Sequence, residues 1–118
     1  MFHALRPLLL CASAALLAVA GASPLWAAEA TQKLIAENDK LRVIDVIEKP
    51  GETGPMASRL GTVFHVIAGG TFERTYADGS TEITPRKTGD TILVTEKRPY
   101  SVKNIGTTTI HLIQVVPK

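Results

Sequence analysis

The sequence has little of what usually stabilises a small protein. Among its 118 residues there is one cysteine, Cys11, and only six aromatic residues: three Phe, two Tyr and one Trp. A single cysteine cannot form an intrachain disulfide. We therefore expect stability to come from apolar packing, for which 45 % hydrophobic residues provide the material.

Motifs for nucleotide and nucleophile chemistry are also missing. There is no glycine-rich phosphate loop before a helix and no G-x-S-x-G nucleophile elbow. Ser58, Ser80 and Ser101 show no sign of a catalytic triad. Asp45 and Glu73 lie on predicted strands whose inward face the sequence leaves open. These absences argue against the commonest nucleotide-binding and hydrolase sites.

The charge balance excludes another class of partner. Thirteen Lys and Arg face eleven Asp and Glu, for a formal net charge of +2. The basic pairs Arg86-Lys87 and Lys97-Arg98 are predicted to lie in solvated loops and form no evident patch. A near-neutral, patternless balance is not typical of nucleic-acid binding, so we expect no nucleic-acid partner.

The N-terminus has the features of a secretory signal peptide. Arg6 gives a short basic region, Leu8–Ala20 is an uncharged apolar run of 13 residues, and mostly small residues follow it. A transmembrane anchor is the alternative, but a spanning helix needs about 20 apolar residues. We predict a signal peptide at 1–27 and a mature chain at 28–118. Cleavage after Ala22 or Ala30 would also fit, and the sequence leaves the position open.

Removal of this leader would change the protein. The mature chain would be periplasmic or secreted, with no membrane anchor, and would lose both Cys11 and Arg6. A single domain of this size buries only about 60–65 % of its unfolded surface, so its core is modest. Burial of one face against a second copy would add stability, and we expect a homodimer.

The mature chain reads as short strands separated by turns. Seven short strands are predicted, a pattern typical of a β-sandwich or barrel. Asp78-Gly79 predicts a two-residue hairpin in which both positions have positive φ. The predicted strands are 40–47, 62–67, 71–76, 80–84, 91–95, 100–103 and 108–116.

The spacing of glycines and turns resembles that of the small single-domain cupins. The two cupin motifs can be written G-x5-H-x-H-x3-E-x6-G and G-x5-P-x-G-x2-H-x3-N. When the motifs start at Gly51 and Gly89, four motif positions hold the residue that the motif specifies. These are Gly51, Gly70, Gly89 and Asn104. The resemblance covers roughly residues 38–118. It implies an all-β fold, a single cupin-type jelly-roll β-barrel or double-stranded β-helix.

The same resemblance implies a divalent metal that this sequence cannot hold in the usual way. Family members bind it through two His, a Glu and a third His, which suits first-row metals. Here the four slots hold Ala57, Arg59, Val63 and Tyr100. We therefore expect no bound metal and no cofactor, and metal-dependent cupin activities are not supported. Stoichiometric Zn, Fe, Mn or Ni in untagged protein would refute this expectation.

Strand alternation suggests what replaces the metal. Val63, His65 and Ile67 share one face of their strand, which the cupin resemblance turns into the barrel. Arg59 and Tyr100 would then join them in one pocket suited to a small anionic or hydroxylated ligand. Structural roles are the alternative: Arg59 faces water, His65 is a hydrogen-bonded core residue and Tyr100 fills the vacated space.

Three functions remain open after these steps. The first is a metal-free binding module for a small molecule, and the second is a metal-independent enzyme of the epimerase or isomerase type with His65 as base and Tyr100 as acid. The third is a non-catalytic structural or interaction protein. The sequence favours a binding or non-catalytic protein and identifies neither ligand nor pathway. The orientation of His111 is open too, with an outer sheet face at a dimer contact preferred.

Overall fold

The computed structural model describes residues 28–118, and every regular element in this range is a β-strand. No helix in the described part of the chain is long and apolar enough to cross a membrane. The predicted signal peptide at 1–27 lies outside the described residues. The strands are β1 (Thr31–Glu37), β2 (Leu41–Glu48), β3 (Thr53–Ala57), β4 (Val63–Ala68), β5 (Gly70–Tyr76), β6 (Thr81–Arg86), β7 (Thr91–Leu93), β8 (Tyr100–Asn104) and β9 (Ile110–Pro117).

The strands form two antiparallel sheets that pack against each other. The larger sheet has the order β1-β2-β9-β4-β7, and the smaller has the order β3-β8-β5-β6. Strands far apart in sequence pair directly, since β9 lies between β2 and β4. The chain thus passes repeatedly from one sheet to the other, as it does in a jelly roll. The predicted all-β class is confirmed.

The core lies between the sheets and is made by alternate residues of each strand. The buried cluster consists of Val46 from β2, Phe72 from β5, and Ile110 and Leu112 from β9. Successive side chains of a strand point to opposite faces, so their even-numbered neighbours point inward as well. This parity decides which polar residues reach the interior.

The β5–β6 turn is one residue longer than its sequence suggests. The amide of Tyr76 donates to the carbonyl of Ser80, and the intervening loop has three residues. Gly79 has a φ of 90°, whereas Asp78 does not have a positive φ. Asp78 Oδ1 instead accepts hydrogen bonds from the amide and the hydroxyl of Ser80. The prediction of two positive-φ residues is therefore wrong at Asp78, because a three-residue hairpin needs only one.

The predicted strands correspond to seven of the strands in the described range, with shifts of one to two residues at most ends. Two strands, β1 and β3, were not predicted. The sequence of β1 does not alternate between apolar and polar residues, and every one of its residues is exposed, so the pattern that marks a half-buried strand is missing. Gly54 and Pro55 fall within β3, and both residue types are depleted in strands.

Candidate functional site

A cavity with a charged lining lies between the two sheets. Its volume is about 40 Å³, room for a few waters or one compact anionic group. Apolar walls come from core residues such as Val66, Phe72 and Leu112. The polar and charged residues that line it are Gln32, Glu48, Arg59, Arg74, Thr84, Arg86, Tyr100 and Gln114.

Tyr100 lies at the centre of this arrangement. It is 1 % exposed, and the guanidinium carbons of Arg59 and Arg74 lie 4.6 Å and 4.3 Å from its ring centroid. The ring of Tyr76 meets it edge to face at 5.9 Å. A guanidinium close to an aromatic ring is attracted by the ring quadrupole. Tyr100 thus helps to hold two arginines at the cavity without neutralising their charge.

Arg59 is fixed by the backbone around it. Its guanidinium donates hydrogen bonds to the carbonyls of Pro55 (2.8 Å), Ala57 (3.2 Å) and Tyr100. These bonds tie the loop after β3 to the first residue of β8. Carbonyl partners leave the charge of Arg59 in place, so it remains available to an anion.

Glu48 is the one acidic group of the cavity and it is buried. It is 2 % exposed at the end of β2, and its Oε2 has no hydrogen-bond partner among the described residues. Burial raises the pKa of Glu48 to about 8, against a lowering effect of Arg59 and with a smaller raising effect of Glu52. Glu48 therefore carries its proton at neutral pH.

Gly54 leaves space between Glu48 and Arg59. A Cβ placed on Gly54 would lie 3.6 Å from Glu48 Oε1, 3.6 Å from Arg59 Nη2 and 2.9 Å from Val102 Cγ2. A side chain at this buried position would fill part of the space that both charged groups border. The glycine in β3 is thus part of how the cavity is formed.

The arginines of the cavity lack matching negative charge. Arg74 has a partner in Glu82, 3.5 Å away, whereas Arg86 forms no salt bridge with any residue in 28–118. Burial lowers the pKa of Arg59 and Arg86, and the nearby Arg74 lowers both further. Arginine nonetheless stays charged in proteins, so the cavity has an excess of positive charge.

A second pocket adjoins the cavity. It has a volume of about 160 Å³ and shares Gln32, Arg59 and Gln114 with the inner cavity. Pro55, Ser58 and Thr62 are among its other lining residues. A ligand could therefore place an anionic group inside and its remaining atoms in the outer pocket.

The structure separates the residues that the sequence had grouped. Phe64 and Val66 of β4 line the cavity, so Val63, His65 and Ile67 point to the opposite, outer face. His65 is exposed, and its Nδ1 lies 2.9 Å from Thr91 Oγ1. The prediction that His65 shares a cavity with Arg59 and Tyr100 is wrong. Both faces of β4 are apolar in sequence, and the chosen face was the outer one.

The vacated metal slots do not converge on one point either. Ala57 pairs with Tyr100 across β3 and β8, Arg59 and Tyr100 reach the cavity, and Val63 lies outside. Among residues 28–118, no group of three or more His, Cys, Asp or Glu side chains could hold a metal ion. Three guanidinium groups repel a divalent cation, so this lining does not fit the metal that the resemblance implies.

His111 has the orientation that the sequence analysis preferred. It lies on the outer face of β9, since Ile110 and Leu112 beside it are buried in the core. Its Nε2 is 2.6 Å from Asp45 Oδ1 on β2, which also fixes the facing of Asp45. This pair is outside the barrel and belongs to no cavity.

Sequence reasoning missed three residues of the site. Arg86 was assigned to a solvated loop, but it ends β6, is half-buried and lines the cavity. Glu48 and Arg74 were not singled out. The signal that could have found them is alternation: Glu48 follows Ile44 and Val46 at spacing two, and Arg74 lies between Phe72 and Tyr76. A charged residue on an apolar face is a candidate for a buried function.

Comparison with known proteins supports the fold without identifying an activity. No family model matches the sequence, and no curated protein matches it. A cupin domain from Bordetella pertussis is similar in structure, with a TM-score of 0.69 and 15 % identity over 79 % of this chain and 97 % of that one. An RmlC-like cupin family protein from Methanocaldococcus jannaschii gives 0.59 and 16 %, covering 77 % and 82 % of the two chains.

Enzymes also occur among the structural neighbours. The polyketide cyclase RemF from Streptomyces resistomycificus has a TM-score of 0.58 and 18 % identity, over 77 % of this chain and 66 % of its own. Identities this low show shared fold and nothing finer. The predicted cupin fold with a double-stranded β-helix is confirmed, in a form whose metal-ligand slots hold other residues.

Proposed function

We propose that this cupin-fold protein binds a small oxyanion, such as a carboxylate, in its barrel. The observation that supports this most directly is the cluster of Arg59, Arg74 and Arg86 around one cavity whose only carboxyl group, Glu48, is neutral at pH 7. Guanidinium groups bind carboxylate and phosphate oxygens through paired hydrogen bonds. The inner cavity suits a single anionic group and the outer pocket suits the rest of a small organic acid.

The proposed activity is binding, and the site offers little for catalysis. A metal-independent enzyme would need His65 and Tyr100 on one substrate. His65 lies on the exposed outer face of the larger sheet, whereas Tyr100 of the smaller sheet lines the cavity between the sheets. General acid–base catalysis requires both groups within hydrogen-bond reach of the reacting atoms, so this pair does not form a catalytic site.

The first prediction concerns the charge of Arg86. We expect the protein to bind at least one of sulfate, acetate and malonate saturably near pH 7 in a buffer of large, weakly coordinating ions. Arg86→Gln should weaken binding by about ten- to a hundredfold, because it removes a charge-assisted contact worth about 1.5–3 kcal/mol. Isothermal titration calorimetry measures the change.

A matched control separates the site from net charge. Arg42→Gln removes the same charge from an exposed side chain whose only ion pair within residues 28–118, with Glu37, spans 3.9 Å. We expect its affinity to stay within about twofold of the native value. Equal weakening by both variants, or no saturable binding by the native protein, would contradict the proposed function and favour a structural role.

A further inference from the structure

Glu48 is the group in the barrel that anion binding by arginines alone does not explain. A buried carboxylate beside Arg59 would ordinarily form an ion pair, yet no salt bridge joins them. Its Oε2 is enclosed and has no partner among residues 28–118, although Glu48 lines the same cavity as the arginines. Buried polar atoms are nearly always hydrogen-bonded, so this one calls for a partner that binds in the cavity.

The surroundings decide which partner suits Glu48. Arg59 faces it from the loop after β3, Arg74 and Arg86 from β5 and β6, and Tyr100 from β8. Glu52 in the β2–β3 turn is the other charged group that acts on it. The strands beside β2 in its own sheet, β1 and β9, contribute Gln32, Leu112 and Gln114, all of which are neutral.

An oxyanion held by the arginines would meet Glu48 as an acceptor. An ionised carboxylate would repel it, whereas a carboxylic acid can donate an O–H hydrogen bond to it. We infer that Glu48 binds the ligand in its protonated form, donating a hydrogen bond to the oxyanion, so that above about pH 7 the binding of the anion is accompanied by proton uptake. This inference rests on the proposed anion site and assigns a positioning role to a further residue.

The coupling has a definite direction with pH. Burial raises the pKa of free Glu48 to about 8, and a bound anion raises it further, so binding takes up protons above pH 7. Affinity is then highest below about pH 8. From pH 7 to pH 9 it should fall about tenfold, because by pH 9 most of the free protein has lost the proton that the complex needs.

The experiment measures affinity and proton uptake for sulfate, acetate and malonate by calorimetry. None of these probes gains or loses a proton between about pH 7 and pH 9.5. In buffers of different ionisation enthalpy, the native protein should take up about half a proton at pH 8. Glu48→Gln, whose amide can still donate a hydrogen bond, should lose both the pH dependence of binding and the proton uptake.

A second variant controls for nearby acidic charge. Glu52→Gln removes the other acidic group that acts on Glu48 but does not line the cavity, so it should keep the pH dependence. Native binding that is constant from pH 7 to pH 9, or a pH dependence that persists in Glu48→Gln, would overturn the role of Glu48 and leave the anion site standing.

The two proposals fail in different ways. If no probe binds at any pH, both are overturned together. If Glu48→Gln does not fold, proton uptake by the native protein decides, because Glu48 is the only carboxyl group among the described residues that line the cavity. Uptake near half a proton at pH 8 then supports the inference, and zero uptake overturns it.

Discussion

At the scale of single residues, this barrel is unusual for the charged side chains it encloses. Charged residues are rarely buried without a partner, because removing them from water is costly. Here Arg59 donates to backbone carbonyls and Arg74 forms a salt bridge with Glu82. Glu48 avoids the cost of burying a charge because it keeps its proton. Burying these groups costs stability, and a binding function would account for why the protein keeps them.

A second prediction on Glu48 concerns stability without ligand. Burial raises the pKa of Glu48 from its ordinary value of 4.5 to about 8, so between these pH values the folded state holds a proton that the unfolded state has released. Stability from this group is complete below about pH 4.5 and is lost as pH rises to about 8. Glu48→Gln should match the native protein near pH 4 and exceed its unfolding free energy at pH 9 by up to about 5 kcal/mol.

Urea denaturation across this pH range tests the sign of the effect. Glu52→Gln serves again as the control, and we expect its stability to follow the native profile. Parallel profiles for the native protein and Glu48→Gln, or a variant less stable at pH 9, would show that Glu48 is ionised when folded.

At the scale of elements, β4 shows how a strand's face can be misjudged. Residues 63–67 are apolar on both faces except for His65, so alternation gave two equal choices. Its pairing with β9 settles the question, because His65 lies opposite Ile113 and Val66 opposite Leu112, which is 4 % exposed. Long-range pairing, absent from any local pattern, decides which face is inside.

Gly69, in the turn from β4 to β5, packs closely against the backbone that follows Arg86. A Cβ on Gly69 would overlap the carbonyl oxygen of Arg86 and lie 2.8 Å from the amide nitrogen of Thr88. Gly69→Ala should therefore displace the backbone that carries Arg86 and destabilise the protein by about 2–4 kcal/mol. Thermal unfolding measures the effect.

Gly51→Ala is the comparison for this variant. Gly51 has a φ of 86° but nothing within 4 Å of an added Cβ, so only backbone strain of about 1–2 kcal/mol is expected. If the two variants lose equal stability, the close approach at Gly69 does not restrict the fold.

At the scale of the whole molecule, the two sheets differ on their outer faces. The smaller sheet presents polar residues such as Glu73, Thr75 and Lys103, as expected of a face in water. The larger sheet presents aliphatic residues around two side-chain pairs, His111 with Asp45 and His65 with Thr91. Its outer aliphatic residues are Val43, Ile47, Val63, Ile67, Leu93, Ile113 and Val115.

We propose that a second copy of the chain covers this face in a homodimer. The polar groups within it pair with each other, so the face is best matched by another that is equally apolar, and its own copy supplies one. A two-fold axis would place the same patch on both sides. Exposed aliphatic residues on a flat sheet would otherwise favour aggregation.

Sedimentation at micromolar concentration tests the dimer. Leu93→Glu places a charge on the aliphatic face at a residue that is 60 % exposed, and we expect it to raise the dissociation constant at least about tenfold. Ile83→Glu, 53 % exposed on the smaller sheet, should leave the dimer intact. A native monomer would contradict the proposal, as would a dimer broken by Ile83→Glu alone. The first result would leave no second copy on this face, and the second would place the interface on the smaller sheet.

The sequence by itself determined the fold class and the loss of the metal ligands. Turn residues such as Gly51 and Gly89 and the spacing of apolar strands are local properties, and local properties can be read along a chain. The leader at residues 1–27 remains a prediction of the same kind.

Only the tertiary structure decided which side chains meet. Glu48, Arg74 and Arg86 come from three strands of two sheets, and their convergence depends on pairings between residues far apart in sequence. One physical reason explains why His65 lies outside the predicted site and why Arg86 lies within it. A strand offers two faces, and packing of one sheet on the other chooses between them.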